Sequence, residues 1–262
     1  VSAGLEKAQP YARHNHSIAR GCRMAAASVA TPSFLGRHGV KLLALDTSTE
    51  LCSVALWLET RMITEDCLAG PRHSEMLLPM VARVLEQAGL SVQDLDGVAF
   101  GQGPGSFTGL RVGCGVAQGL AFGANLPALG IGTLRALAQD ADSEYVIASL
   151  DARLGEVYHA AFRRRGDAWE DIHCAALCRP RQAPEVSGGD WVGVGSGFVV
   201  EGGALRDRYA GQLREVREQA LPHARAIALL ALKEFEHGRG MDATEVAPLY
   251  IRNKVARRQD ER

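Results

Sequence analysis

The sequence predicts an α/β fold made of two duplicated halves, because the same order of elements occurs twice along the chain. In the first half, an apolar strand over residues 42–45 ends in Asp46, and a polar turn leads into a second apolar strand. In the second half, the apolar run 146–150 ends in Asp151 and is followed by the same kind of turn and strand. Later apolar strands that run into glycines lie at 98–105 and 192–197. This repeated order is the outline of the actin-like fold of sugar kinases and heat-shock ATPases, whose ligand cleft lies between the halves.

The pattern divides the chain into three segments. Residues 1–39 are basic, poor in acids and without periodicity, and are expected to be a disordered or misannotated N-terminal extension; a transit peptide is the alternative. Residues 40–143 are expected to form the first actin-like half, which carries partner-binding helices. Residues 144–262 are expected to form the second half together with a basic tail.

The charge balance argues against a chain that binds nucleic acid by itself. Lys and Arg number 29 against 30 Asp and Glu, which gives a formal net charge of −1. Phosphate neutralisation supplies most of the affinity for RNA, so a stand-alone RNA-binding protein normally carries a positive excess. A direct RNA-binding module remains an alternative, supported by two basic clusters. These clusters consist of Arg163, Arg164, Arg165, Arg252, Lys254, Arg257 and Arg258.

The six cysteines do not form a recognisable metal site. Only Cys174 and Cys178 lie close together, and no second cysteine or histidine pair completes a zinc ligand set. We therefore expect reduced thiols in a cytoplasmic protein that holds no metal. No apolar run approaches the length that crosses a bilayer, so no membrane contact is expected.

The first predicted helix covers residues 75–88, with Ser74 as its cap and Gly89 at its end. Its apolar residues cover more than one narrow stripe. We assign Leu78 and Leu85 to the face that packs on the sheet. The other stripe is expected to face outward, toward a partner. It consists of Leu77, Met80, Val81 and Val84.

A second helix is predicted from Thr108 to about residue 123, with Gly115, Gly119 and Gly123 on one face. Each interior glycine costs roughly 0.5–1 kcal/mol relative to alanine, so a bare helix surface indicates the close approach of another backbone. Packing against the protein's own sheet is the alternative. The predicted partner surface consists of Leu77, Met80, Val81, Val84, Val112, Gly115, Val116, Gly119 and Phe122.

The glycine-rich segment 100–105 is not a phosphate-binding P-loop, because no lysine follows its glycines. A tight turn between strand and helix is the simpler interpretation, although an anion could bind at the helix N-terminus. The two strand-end aspartates are expected to cap their hairpin turns through side-chain hydrogen bonds. The candidate residues of a degenerate nucleotide site are Asp46, Ser48, Gly103, Gly105, Asp151 and Gly195.

Five stretches of the chain resemble the bacterial TsaB (YeaZ) family. They read LLALDTSTELCSVAL, HSEMLLPMV, GVAFGQGPGSFTGLRVG, LDARLGEVY and PLYIRN, and they occur in order across residues 41–258. The resemblance implies an actin-like fold and a role in making threonylcarbamoyladenosine on tRNAs that read ANN codons. It also implies pairing with a TsaD-like catalytic subunit through the two helices of the first half.

The same resemblance implies the other components of the system. A TsaE-like ATPase is a further partner, tRNA is reached through the complex, and a homodimer is a further expectation. ATP and Mg are used by the complex, and no cofactor is expected to bind tightly to this subunit alone.

Catalysis by the chain itself is not expected. The catalytic relative holds a metal through two histidines four residues apart, and no two histidines here have that spacing. Actin-like ATPases place glycine two residues after each phosphate-loop aspartate, where this chain has Ser48 and Arg153. A weak stand-alone ATPase or kinase and a peptidase, the activity in an older family label, are the enzymatic alternatives.

Overall fold

The first predicted repeat folds as a five-stranded sheet in the computed structural model, which describes residues 39–252. Its strands are β1 (Lys41–Asp46), β2 (Leu51–Leu58), β3 (Arg61–Leu68), β4 (Gly97–Gly103) and β5 (Ala128–Gly132). Their order in the sheet is β3-β2-β1-β4-β5, with β1–β2 and β2–β3 antiparallel and the other pairs parallel. The predicted extension lies outside the described residues, apart from Gly39.

The second repeat forms a sheet with the same connectivity. Its strands are β6 (Tyr145–Arg153), β7 (Glu156–Arg165), β8 (Ala168–Cys178), β9 (Trp191–Val194) and β10 (Leu213–Arg217). Their order is β8-β7-β6-β9-β10, again with three antiparallel strands followed by two parallel ones. The predicted duplication and the actin-like fold are confirmed.

Helices cover both faces of the first sheet, because β1 is apolar on both sides. Between residues 39 and 252, five helices have ordinary α geometry: α1 (His73–Ala88), α2 (Phe107–Ala124), α3 (Thr133–Gln139), α4 (Ala204–Arg208) and α5 (Ala224–Glu236). Leu43 and Leu45 of β1 pack in one cluster with residues of α1 and α2. Leu42 and Ala44, which point the other way along the strand, pack against α5.

The two halves exchange helices. α3 precedes the second repeat in sequence, yet its Leu134 and Leu137 pack on Val146 and Ala148 of β6. α5 follows the second sheet in sequence, yet it packs on the first sheet. Each half therefore depends on a helix from the other side of the predicted boundary between residues 143 and 144.

The helix starts differ from those predicted. α1 begins at His73 without a side-chain cap, so Ser74 lies inside the helix instead of before it. A 3₁₀ turn at Gly70–Arg72 with Pro71 leads directly into the helix and supplies its start. α2 begins two residues before the position expected from a Thr108 cap, because Ser106 accepts a hydrogen bond from the Gly109 amide. Gly89 ends α1 in a left-handed conformation, as predicted.

Across residues 39–252, none of the helices has both the length and the apolarity that spanning a membrane requires.

Candidate functional site

The two strand-end aspartates cap the turns that follow them, and this expectation is confirmed. Asp46 Oδ1 accepts hydrogen bonds from the Ser48 amide at 2.9 Å and the Ser48 hydroxyl at 2.8 Å. Asp151 Oδ1 accepts a hydrogen bond from the Arg153 amide at 2.7 Å. In both halves, the carboxylate therefore satisfies an amide of its own hairpin turn.

Asp46 lies inside the protein instead of facing an open cleft. Its side chain is fully buried, and Oδ2 has no hydrogen-bond partner among the described residues. A Cβ atom at Gly101 would collide with Oδ2, so the backbone of β4 covers this oxygen. Burial raises the pKa of Asp46 to about 7, against the opposing effect of the two hydrogen bonds from Ser48. A carboxyl enclosed in this way is poorly placed to bind a metal or a phosphate-bound cation.

The glycine-rich loop after β4 is also covered by protein. The Gly103 amide donates to Thr133 Oγ1 at 3.1 Å, and the Ser106 amide donates to the Ser48 carbonyl at 2.7 Å. A Cβ atom at Gly103 would lie 2.7 Å from the Leu249 carbonyl oxygen, and one at Gly105 would collide with the Ser48 carbonyl. The glycines therefore permit close packing of backbone on backbone, which is the tight-turn interpretation of the sequence.

The chain segment that covers the loop is residues 241–252, which we call the C-terminal strap. It begins with an antiparallel bridge between Met241 and Ala128 at the edge of the first sheet. It continues past α2, where the Gln118 side chain donates to the Ala243 carbonyl at 2.9 Å. At the glycine loop, the Leu249 amide donates to the Gln102 carbonyl at 2.8 Å.

The strap ends by joining the second half. Arg252 donates to the Ala152 carbonyl at 3.0 Å and forms an ion pair with Glu156 at 2.7 Å. A cavity of about 50 Å³ remains between the strap and the two halves, whereas ligand pockets usually measure about 300–1,000 Å³. The cavity is lined by Gly105, Phe107, Leu110, Tyr158, Leu249, Tyr250, Ile251 and Arg252. The strap thus closes the cleft at this point.

The turn of the second half has a side chain where a phosphate would need space. Arg153 stands two residues after Asp151 in a left-handed conformation, and its guanidinium pairs with that carboxylate at 3.2 Å. In the loop after β9, Gly195 has φ +99°, and its amide donates to the Arg217 carbonyl at 3.0 Å. The candidate nucleotide residues of both halves are therefore engaged with their own chain.

The glycine face of α2 is open, in agreement with the prediction that it faces outward. Gly115, Gly119 and Gly123 are exposed, and a Cβ atom built on each would meet no atom within 4 Å. Phe122, on the same side of the helix, is 68% exposed. Val112 and Val116 are only partly exposed, because they also pack against the core under α1 and α2.

The prediction that one apolar stripe of α1 faces outward is wrong. All four of its residues are buried in the core of this chain: Leu77, Met80, Val81 and Val84. Leu78, which was assigned to the core, is 50% exposed. α1 packs on the sheet and against the neighbouring helix α2, so a wide arc of the helix is covered, and Glu75 and Arg83 are exposed like Leu78. Leu85 is buried in the core, as predicted.

The outward surface of the two helices therefore has a different composition from the one predicted. We call it the two-helix surface and define it as Leu78, Gly115, Gly119, Phe122 and Gly123. α1 and α2 pack in the same cluster on one face of the first sheet, so their exposed sides both point away from that sheet. A large aromatic ring beside bare glycines is suited to pairing with another helix.

A family model and two relatives matched over nearly their full length identify the family of this chain. The model described as TsaD, tRNA N6-adenosine threonylcarbamoyltransferase, matches residues 67–259. The chain is 37% identical over 225 residues to the tRNA threonylcarbamoyladenosine biosynthesis protein TsaB of Escherichia coli (strain K12), covering 83% of this chain and 96% of that protein. It is 40% identical over 231 residues to TsaB of Haemophilus influenzae, with the same coverage of 83% and 96%. The chain belongs to the TsaB family.

Two solved structures share the fold of this TsaB-family chain. YeaZ from Pseudomonas aeruginosa has a TM-score of 0.73 at 35% identity, covering 80% of this chain and 99% of the other. A protein from the same organism, described as uncharacterised with similarity to the peptidase YeaZ, has a TM-score of 0.76 at 35% identity and covers 81% and 100%. Within the part of the TsaB-family chain that the structure describes, no three His, Cys, Asp or Glu side chains are grouped as metal ligands.

Sequence reasoning missed two features of the site. One is Gly101, whose missing side chain lets β4 pack against Asp46. The other is the C-terminal strap, which has no periodic pattern and was visible only as the PLYIRN stretch of the resemblance. The glycine itself was a signal in the first case, since an isolated glycine in a strand often marks close backbone approach.

Proposed function

We propose that the chain is a non-catalytic subunit of the machinery that makes threonylcarbamoyladenosine in tRNA. Membership of the TsaB family supports the role in this biosynthesis. The non-catalytic assignment rests on the cleft, where Asp46 is covered by Gly101 and the glycine loop is covered by the C-terminal strap. With no open site for a substrate or nucleotide there, the chain acts by binding and supporting another subunit.

The subunit that it supports is a TsaD-like catalytic protein, and the contact is the two-helix surface. The observation that carries this proposal is the open glycine face of α2, because bare glycines let a second helix approach closely. The TsaD-type protein has the activity named by the family model that matches this chain. A TsaE-like ATPase joins the complex, which uses ATP and Mg, and the substrates are cytoplasmic tRNAs that read ANN codons.

The proposal is tested by pairing and by modification together. The full chain and its TsaD-like protein are co-expressed, and co-purification is compared for the native chain, Gly119→Leu and Gly189→Leu. Both glycines are exposed with open space around the Cβ position, but Gly189 lies outside the two-helix surface. We expect Gly119→Leu to abolish co-purification without lowering Tm, and Gly189→Leu to bind normally.

Threonylcarbamoyladenosine in tRNA is then measured by mass spectrometry in cells that lack the native gene. The native chain and Gly189→Leu should restore the modified nucleoside, and Gly119→Leu should not. ATP hydrolysis or peptide cleavage by the purified chain alone, abolished by Asp46→Asn, would contradict the non-catalytic role. Normal pairing of Gly119→Leu would contradict the assigned surface.

A further inference from the structure

Two stretches that carry the family resemblance, GPGSFTGLR and PLYIRN, meet in space although they are far apart in sequence. The rings of Phe107 and Tyr250 lie 5.5 Å apart between centroids. The Arg111 guanidinium carbon lies 3.5 Å from the centroid of Phe107, and Arg111 Nε donates a hydrogen bond to the Tyr250 hydroxyl at 3.0 Å. We call Phe107, Arg111 and Tyr250 the aromatic platform.

Both rings of the aromatic platform are partly exposed to solvent. Phe107 is 40% exposed and Tyr250 is 43% exposed, while their inner edges line the small cavity under the strap. Arg111 fixes both rings, through stacking on one and a hydrogen bond to the other. The result is a preorganised group of two tilted rings and one guanidinium at the surface. Phe107 and Arg111 precede Gly115 and Gly119 of the two-helix surface at intervals of four residues along α2, so the platform adjoins that surface.

The platform carries the positive charge of Arg111, which contacts Phe107 and Tyr250 and forms no ion pair with the described residues. Arg153, whose side chain is 87% exposed, and Arg252 meet at the turn of the second half that the strap reaches. The nearby acids Asp151 and Glu156 are each already paired with one of these arginines.

We propose that the aromatic platform contacts RNA, with an unpaired base of the tRNA stacked on the Tyr250 ring and the Arg111 plane. This inference rests on the proposed function in tRNA modification. Unpaired bases stack on aromatic side chains and on arginine guanidinium planes, and the Arg111 cation attracts a neighbouring phosphate. Because the whole chain carries a net charge of only −1, this contact adds to RNA binding by the complex and does not replace it.

The test uses the purified complex of the full chain with its TsaD-like subunit. A fluorescein-labelled, unmodified tRNA transcript serves as the probe, and its Kd is measured by anisotropy at several salt concentrations. Phe107→Leu and Tyr250→Leu remove the flat rings but keep apolar volume under the strap. The double variant should bind at least tenfold more weakly, the ratio that corresponds to about one lost base stack.

Three controls separate stacking from charge and from folding. Tyr250→Phe keeps the ring and should bind within about threefold of the native complex. Arg111→Gln should weaken binding and lower the slope of log Kd against log salt by up to about one. Ile172→Ala, an exposed apolar residue on β8, should bind normally. The Tm of every variant is measured, and only variants that keep the native Tm and still co-purify with the partner are compared.

The inference is overturned if the folded double variant binds tRNA as tightly as the native complex. It is also overturned if the double variant remains folded but loses the TsaD-like subunit, since the platform would then be a protein contact. The proposed function fails separately, when the native chain does not restore threonylcarbamoyladenosine in cells that lack its gene. Restoration by the native chain together with normal tRNA affinity of the double variant would reject the platform alone.

Discussion

At the scale of single residues, Asp46 shows how this fold uses a carboxyl group without exposing it. One oxygen accepts two hydrogen bonds from Ser48, and the other is enclosed against Gly101. Burial disfavours the charged form and raises the pKa of Asp46 to about 7, so a large share of the folded protein holds a proton there at neutral pH. The Asp46 side chain stabilises the turn through its hydrogen bonds with Ser48, whereas ionisation of its carboxyl group opposes folding.

The pH dependence of stability follows from the sign of this shift. The pKa of Asp46 is raised from 3.8 to about 7, so the folded chain binds a proton that the unfolded chain has already released between these values. The free energy of unfolding should therefore fall as pH rises through this window, with a contribution of up to about 4 kcal/mol from Asp46. Below pH 3.8 both states are protonated and the contribution vanishes.

Asp46→Asn removes this titration and keeps an oxygen that can accept from Ser48. Urea unfolding of both proteins from pH 4.5 to 8 should show a stability difference that shifts steadily in favour of the variant as pH rises. Other titrating groups, including His159, whose burial lowers its pKa to about 3, are common to both proteins and cancel in the difference. A difference that stays constant across the range would show that Asp46 is ionised throughout.

At the scale of elements, α1 and α2 have opposite uses although both are rich in apolar residues. α1 supplies large side chains to the core, whereas α2 supplies small residues that let it lie close to the β1–β2 turn. A Cβ atom at Gly109 would collide with the Thr47 carbonyl, while those at Gly115 and Gly119 would meet only open space. The glycines of one helix thus serve internal packing on one side and an open surface on the other.

The two faces of α1 can be separated by a matched pair of truncations. Met80→Ala should lower the free energy of unfolding by about 2–5 kcal/mol, because Met80 is fully buried in the core. Leu78→Ala should change it by less than about 0.5 kcal/mol, because half of Leu78 faces solvent. Both values come from chemical denaturation of the isolated chain.

The partner contact of the same helix is measured by co-purification with the TsaD-like protein. Leu78→Glu should keep the native Tm and weaken pairing, since a charge would be placed in an apolar contact. If Met80→Ala folded stably and Leu78→Ala were strongly destabilised, the buried and exposed faces of α1 would be assigned the wrong way round.

At the scale of the whole molecule, the two halves are held together by exchanged helices and by the C-terminal strap. α3 and α5 each pack on the sheet of the other half, and Arg252 fastens the strap to the β6–β7 turn. Motion of one half relative to the other would break these contacts together. These contacts hold the cleft closed, as expected for a subunit that acts through its outer surface.

Arg252→Ala should loosen this closure. Arg252 is 14% exposed and bonds to a carboxylate and a carbonyl, so its loss should cost about 1–3 kcal/mol of stability. Arg83→Ala breaks an exposed ion pair with Glu65 inside one half and should leave the stability nearly unchanged, because solvent screens such pairs. Hydrogen exchange at the Leu249 amide should accelerate only in Arg252→Ala, and equal protection in both variants would show that the strap holds without Arg252.

Features that depend on neighbouring residues could be predicted from the amino-acid pattern. Apolar runs predicted the three central strands of each sheet, the strand-end aspartates predicted their turn-capping hydrogen bonds, and Gly89 predicted the end of α1. The open face of α2 was also readable, because glycines spaced by four residues lie on one side of any α-helix.

The inward-facing stripe of α1 and the segment that closes the cleft depend on contacts between distant parts of the chain. An arc of apolar residues wider than one stripe fits several rotations of the helix, and the contacts with the sheet and α2 select one of them. The strap is fixed by hydrogen bonds such as the one from Gln102 to Ala247, across 145 residues of sequence. Such contacts form where folding brings distant segments together, so no local pattern in either segment specifies them.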